Sequence, residues 1–144
     1  AVKTAAGLAP LLLEGIGATI RVSLTADPVR EIAVADMLLR ATGVRRRGVE
    51  IIACPTCGRT SANLFRILGR VEIALAGEPR PLTVAVMGCV VNGPGEARHA
   101  DVGIAGAPDG SFMLFSRGRL LRRVAQAEAV NALLDEVKKA TMQD

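Results

Sequence analysis

Residues 49–87 constrain the fold more than any other stretch. An apolar run, "VEIIA" (49–53), is followed by "TSANLFRILGRVEIALAG" and then by a second apolar run, "LTVAVM" (82–87). In the middle segment Leu64, Ile67, Leu68, Val71 and Leu75 recur at helical spacing, with Gly77 as the stop signal. The spacing predicts a helix over 61–76 between two strands. A strand–helix–strand crossover returns the second strand parallel to the first, almost always right-handed. The class is therefore α/β, and both strands end on the same edge of one sheet.

The flanking segments read less tightly. "ATIRVSL" (18–24) has the alternation of a strand. "TADPVREIAVADMLLRATG" reads as a helix with Asp27 as N-cap, Pro28 in the first turn and Gly43 at the stop. The basic connector "VRRRG" follows and is the expected boundary between a segment 1–48 and a domain 49–144. Beyond the second apolar run, "ADVGIAG" and "SFMLFSRG" read as two strands joined by the turn "APDG". A last helix is expected over 126–140, with Val130, Leu133, Leu134 and Val137 on one face.

Composition removes several function classes. Half of the 144 residues are apolar, enough for a real core, yet no apolar run reaches the ~18 residues a membrane span needs. The chain opens "AVKTAAGLAP" without a Met, which reads as a piece of a longer protein, and shows no signal peptide. A soluble, cytoplasmic protein is expected. Net charge is only +4, and there are three Phe with no Tyr or Trp, so base-stacking platforms and nucleic-acid binding are not expected.

Three cysteines do not make a disulfide framework, and a C-x-x-C plus one more points to metal or redox chemistry. Cys54 follows the first strand of the crossover and Cys89 follows the second, so both belong to the carboxyl edge where open α/β sheets place ligands. Cys57 stands just before the helix, whose N-terminus favours a thiolate. In "GCVVNGPGE" (88–96), Gly93 and Gly95 can adopt positive φ and Pro94 stiffens the turn, so the loop can present Glu96 to the thiols and Asn92 to the loop or a ligand. Three kinds of site remain open on spacing alone. A structural zinc would take four Cys or His ligands, with His99, the single histidine, competing with Glu96. A dithiol would use Cys54 and Cys57 and leave Cys89 idle. A cubane iron–sulfur cluster would use three thiolates and leave one iron for an oxygen ligand that can yield to substrate.

"CPTCGRT" followed by "VAVMGCVVNGPGEARHADVGIAG", with "EGIGATIRVSLTADPVREI" upstream, resembles the 4-hydroxy-3-methylbut-2-enyl diphosphate synthase family of the methylerythritol phosphate route to isoprenoids. The resemblance implies a TIM barrel joined to a C-terminal, sulfite-reductase-like domain with a mixed sheet and helices. It implies a 4Fe-4S cluster held by Cys54, Cys57, Cys89 and Glu96, with Glu96 also the catalytic residue. The implied reaction is a two-electron reductive opening of 2-C-methylerythritol 2,4-cyclodiphosphate with loss of the C3 oxygen as water. Flavodoxin or ferredoxin would donate the electrons, and the full-length protein would be a bacterial homodimer. Two departures stand out: Ala18 replaces an Asp common in the family, and most of the barrel is missing, residues 1–48 representing its last strand and helices. Of that remnant, Arg21 and Ser23 lie toward the carboxyl end of a barrel strand and, with Asn92, are the candidate substrate contacts. The alternative for Arg21 and Ser23 is an inter-strand ion pair and a loop hydroxyl. Arg45–Arg47 and Arg117, Arg119, Arg122 and Arg123 form two basic runs that read as solvated faces, or as a docking patch for the acidic carrier the resemblance implies.

Overall fold

A computed structural model describes residues 1–58, 60, 63–91, 95 and 99–141. The chain divides into two compact units, Ala1–Arg47 and Gly48–Asp144.

The first unit holds α1 (Val2–Leu13) and α2 (Pro28–Ala41). At the start of α2 the Asp27 carboxylate accepts from Val29 N–H at 2.9 Å, and Pro28 occupies the first turn, where no N–H is needed. Thr42 Oγ1 donates to Leu38 O at 2.9 Å, and Gly43 turns the chain at φ 72°. The basic connector is not wholly free: Arg45 Nη1 pairs with Asp36 Oδ1 at 2.7 Å, and Arg45 N–H donates to Leu39 O. Two expectations fail here. No element was foreseen at α1, which runs through Pro10. The strand expected over 18–24 is absent, and that stretch is irregular backbone. Its alternation survives, with Val22 buried between exposed Arg21 and Ser23. A strand, however, exists only as part of a ladder, and this unit contains no second strand to pair with.

The second unit is one five-stranded mixed sheet, order β1-β2-β3-β4-β5, with β1 (Val49–Ala53), β2 (Leu82–Met87), β3 (Val102–Gly106), β4 (Phe112–Ser116) and β5 (Arg119–Val124). α3 (Leu64–Leu75) connects β1 to β2, and α4 (Ala129–Thr141) ends the unit. β1 and β2 are parallel, with Val49 opposite Leu82 and Ala53 opposite Val86; β2 and β3 are also parallel, and β3–β4–β5 run antiparallel. The main core lies on one face of the sheet. Leu64, Ile67, Val71 and Leu75 of α3, and Val130, Leu133 and Val137 of α4, pack on Val84, Val86, Val102, Ile104, Phe112 and Leu114. A smaller cluster of Ala85, Met87, Ala100, Ala105 and Phe115 takes in Cys54 and Met113. β2 is apolar almost throughout because it feeds both clusters.

α3 begins at Leu64, later than expected, because Asn63 caps it with Oδ1 accepting from Arg66 N–H at 3.2 Å. The "APDG" turn closes the β3–β4 hairpin: Gly110 adopts φ 79°, and Asp109 Oδ1 accepts from the N–H and Oγ of Ser111. β5 was not foreseen as a strand. Five of its six residues are exposed and a bulge interrupts its register near Leu114/Phe115, so it carries no alternation to read. Among the described residues, no helix is long and apolar enough to cross a membrane.

Candidate metal centre

The carboxyl ends of β1 and β2 carry the cysteines. Cys54 N–H donates to Val86 O at 3.1 Å, so it prolongs the β1–β2 ladder by one residue and takes its place from the sheet itself. It is half-buried and touches both apolar clusters. Cys89 is also half-buried and follows β2 with one residue, Gly88, between. Cys57 is exposed. Its loop is closed by Thr60, whose Oγ1 accepts from Cys57 N–H at 3.1 Å while Thr60 N–H donates to Cys57 O at 3.0 Å.

Thr60 also joins the two cysteine-bearing loops. A Cβ placed on Gly88 would stand 3.1 Å from both Cγ2 and Oγ1 of Thr60 and 3.4 Å from Leu64 Cδ2. The 54–60 loop thus lies against the backbone immediately before Cys89, and a side chain at position 88 would crowd Thr60. Sequence reasoning passed over both residues. The available signal was a glycine between an apolar strand and a cysteine, a place where another backbone or side chain comes close.

The other expected members of the site fare differently. Asn92, Gly93, Pro94 and Glu96 lie outside the described residues. Gly95 has helical backbone, not the left-handed conformation expected for it. His99 is exposed. Because α3 starts at Leu64, Cys57 does not stand directly before the helix, and the proximity invoked for its thiolate is lost. Arg21 and Ser23 are both exposed and belong to the first unit. All three cysteines are free thiols. Among the described residues, no three His, Cys, Asp or Glu side chains are gathered tightly enough to hold a metal ion. As a donor set the thiols still suit a soft centre such as zinc or an iron–sulfur cluster. Two of them follow strands that lie ~4.8 Å apart, and the third is carried by a loop in contact with the second.

Residues 50–139 match the GcpE protein C-terminal domain. The chain belongs to the GcpE family. Residues 1–36 match the GcpE TIM-barrel domain, so this GcpE chain holds a barrel fragment ahead of its α/β domain. Curated relatives named 4-hydroxy-3-methylbut-2-en-1-yl diphosphate synthase (flavodoxin) include one from Lawsonia intracellularis, 54% identical over 96% of this chain and 38% of its own length. Another, from Thermodesulfovibrio yellowstonii, is 54% identical over 96% of this chain and 39% of its own. A third, from Caldanaerobacter subterraneus, is 47% identical over 99% of this chain and 40% of its own. The chain therefore spans about two-fifths of the length of the relatives it matches. The family agrees with the resemblance carried by "CPTCGRT" and "GCVVNGPGEA".

Proposed function

We propose that this chain is the cluster-bearing C-terminal part of a 4-hydroxy-3-methylbut-2-enyl diphosphate synthase, an oxidoreductase of isoprenoid biosynthesis. The observation that carries the reading is the meeting of the two cysteine loops at the carboxyl edge of β1 and β2, through Thr60 and Gly88. In the full-length enzyme Cys54, Cys57, Cys89 and Glu96 hold a 4Fe-4S cluster. Such a cluster would pass on, one at a time, the two electrons that the carrier donates, and would offer an iron with a replaceable oxygen ligand. The overall conversion takes up two electrons and a proton, breaks one carbon–oxygen bond of the cyclodiphosphate ring and the C3–hydroxyl bond, and releases the C3 oxygen as water.

The chain's own residues have simpler tasks. The β1–β2 ladder sets the position of Cys54, and Thr60 holds the turn that carries Cys57 against the strand leading to Cys89. The cluster of Ala85, Met87, Ala105 and Phe115 gives Cys54 an apolar flank from which water is excluded. Glu96 is the carboxylate ligand that gives way to substrate. Arg21, Ser23 and Asn92 contribute to holding the diphosphate, the guanidinium by charge and the others by hydrogen bonds. The donor is flavodoxin, as the names of the relatives state for those proteins, and the full-length protein works as a homodimer.

The test is metal analysis of the anaerobically prepared full-length protein. Iron and acid-labile sulfide are expected together. Each of Cys54→Ser, Cys57→Ser and Cys89→Ser loses most of both, because thiolates carry most of the binding. Glu96→Gln retains more iron and loses turnover. Protein that holds zinc and no sulfide after reconstitution with iron and sulfide would overturn the reading.

A further inference from the structure

We propose that the β4–β5 hairpin is a docking surface for an acidic electron-carrier protein. The proposal deepens the functional reading above and rests on it. β5 is an edge strand of the sheet, and five of its six residues are exposed. At its middle Leu120 and Leu121 are 54% and 47% exposed, and Arg117, Arg119, Arg122 and Arg123 surround them in sequence. No Asp or Glu occurs in sequence between Asp109 and Glu128; Asp109 Oδ2 pairs with Arg123 Nη1 at 3.3 Å, and Asp101 O accepts from Arg117 N–H at 2.8 Å. An apolar centre with an arginine rim is the composition of a protein interface.

The hairpin turn supplies a second observation. Arg117 has φ 46°, the one non-glycine residue with positive φ among the described residues, and Gly118 follows at φ 75°. A two-residue turn with both φ positive favours Asn-Gly or Gly-Gly. Arginine at that position adds backbone strain; the register from Ser116 to Val102 to Val84 puts this turn at the end of the sheet away from the cysteines, so it lengthens the basic surface without bordering the cysteine edge.

Position in the sheet adds the third. The pairings Met87 to Ala105, Ala105 to Met113 and Met113 to Arg123 form one row across four strands. At ~4.8 Å per strand, Arg123 stands about 14 Å from Met87, two residues before Cys89. An interface of ordinary size covers about 800 Å² per partner, a disc roughly 16 Å in radius, which spans that distance. A carrier centred on Arg123, at the cysteine-side end of β5, therefore overlaps the cysteine edge of the sheet. There it would give up one electron per encounter to the cluster of the proposed reading, the carrier being oxidised as the cluster is reduced.

Other occupants fit less well. Phe112 and Phe115 are buried, which leaves this hairpin no aromatic platform for bases. A second copy pairing through β5 would set arginines against arginines.

The experiment uses the full-length protein and reduced or oxidised flavodoxin. First, flavodoxin binding is measured on the metal-free protein at low salt and at about 0.5 M salt, where the screening length falls well below 10 Å. Arg119→Glu/Arg122→Glu is expected to weaken low-salt binding about tenfold and to flatten the salt dependence, and Leu121→Ser to weaken it at both salts. Second, cluster reduction is followed spectroscopically with reduced flavodoxin and with dithionite. The ratio of the two rates should fall about tenfold in the double charge reversal. Arg119→Gln/Arg122→Gln should show the same trend, smaller, with an unchanged far-UV spectrum. Binding and rate ratio equal to those of the parent would overturn the docking surface. So would loss of duplex-DNA binding or of self-association in the variants with flavodoxin binding intact. Absence of any dithionite-reducible cluster would instead strike at the iron–sulfur reading, and the binding arm would still decide the docking.

Discussion

Gly88→Ala isolates the contact on which the candidate site depends. The new methyl would lie 3.1 Å from Thr60 Cγ2 and Oγ1 and 3.4 Å from Leu64 Cδ2. Both Thr60 distances are tighter than ordinary carbon contacts, so something must move by a few tenths of an ångström. Thr60 is badly placed to move. It is β-branched and stiff at χ1, its Oγ1 accepts from Cys57 N–H, and its own N–H is bonded to Cys57 O. Overpacking of this kind costs about 1–3 kcal/mol. Gly88 is not in the left-handed region, so alanine is free of backbone strain there and recovers about 0.4–1 kcal/mol from a less flexible unfolded chain. The net expectation is a loss of about 1 kcal/mol, or roughly 4–8 °C in Tm for a domain of this size. Gly69→Ala is the matched control: it lies inside α3, nothing stands within 4 Å of its added Cβ, and it should raise stability by about 0.5–1 kcal/mol. The displaced Thr60 also shifts Cys57 relative to Cys89, so metal loading should fall by roughly the tenfold that loss of a supporting contact costs. Thr60→Ser in the Gly88→Ala background removes the Cγ2 contact, keeps the hydroxyl and should recover part of both losses. Thermal unfolding, iron content and amide exchange at Cys57 read the outcome. A Gly88→Ala protein equal to the parent in all three, or a strictly additive double variant, would refute the latch.

Two further perturbations test the frame around the site. The Arg80 side chain donates to Glu78 through Nε–Oε1 at 2.6 Å and Nη2–Oε2 at 2.7 Å, its N–H donates to Oε1 as well, and together they hold the Glu78 carboxyl at about 2, below its usual 4.5. A depressed carboxyl stabilises the fold above pH 4.5 and loses that contribution as pH falls toward 2; Arg80→Gln should return the Glu78 pKa toward 4.5 by NMR titration, and an unmoved value would contradict the pairing. Asn63→Ala removes the acceptor for Arg66 N–H at the start of α3 and should cost about 1 kcal/mol in urea unfolding, with Asn63→Asp close to the parent; equal midpoints for parent and alanine variant would remove Asn63 from the cap.

The parts of the fold that could be read from the chain are those whose local pattern and tertiary surroundings agree. "LTVAVM" is apolar but for Thr83 because β2 feeds apolar clusters with both sets of side chains, and the α3 stripe is helical because Leu64, Ile67, Val71 and Leu75 all face one core. The placing of Cys54 and Cys89 followed from the crossover, since parallel strands must end on the same edge. The misses have separate causes. β5 carries solvent-facing arginines and leucines on an edge, so neither of its faces records burial. α1 (Val2–Leu13) contains Pro10, a breaker in pattern, and its N-cap position holds Ala1, which makes no side-chain cap. Residues 18–24 have a strand's alternation without a strand to pair with. Thr60 is ordinary in sequence, and the glycine between an apolar strand and a cysteine marks a close approach at Gly88 without naming what approaches, because no local pattern encodes a distance between loops.

The described geometry separates what the sheet determines from what a bound cluster must complete. Cys54 is placed by a backbone hydrogen bond to β2, and the Cys57 turn is pinned by Thr60 against Gly88. Those contacts act through the backbone and through one short side chain, and they bring the loops together without gathering three ligands into a metal-sized group among the described residues. The main core beneath is closed without the thiols: α3 and α4 bury Val71, Leu133 and Val137 against β2, β3 and β4. Folding of this unit therefore does not wait for metal, unlike the small domains whose only core is their ion. On the proposed reading, metal binding would have a narrower job, drawing in an exposed Cys57 and two half-buried thiols that the sheet has already brought to one edge. A scaffold that stands by itself would keep the sheet edge rigid while the ligand loops adjust, and the proposed iron ligand would be exchangeable without loosening the core.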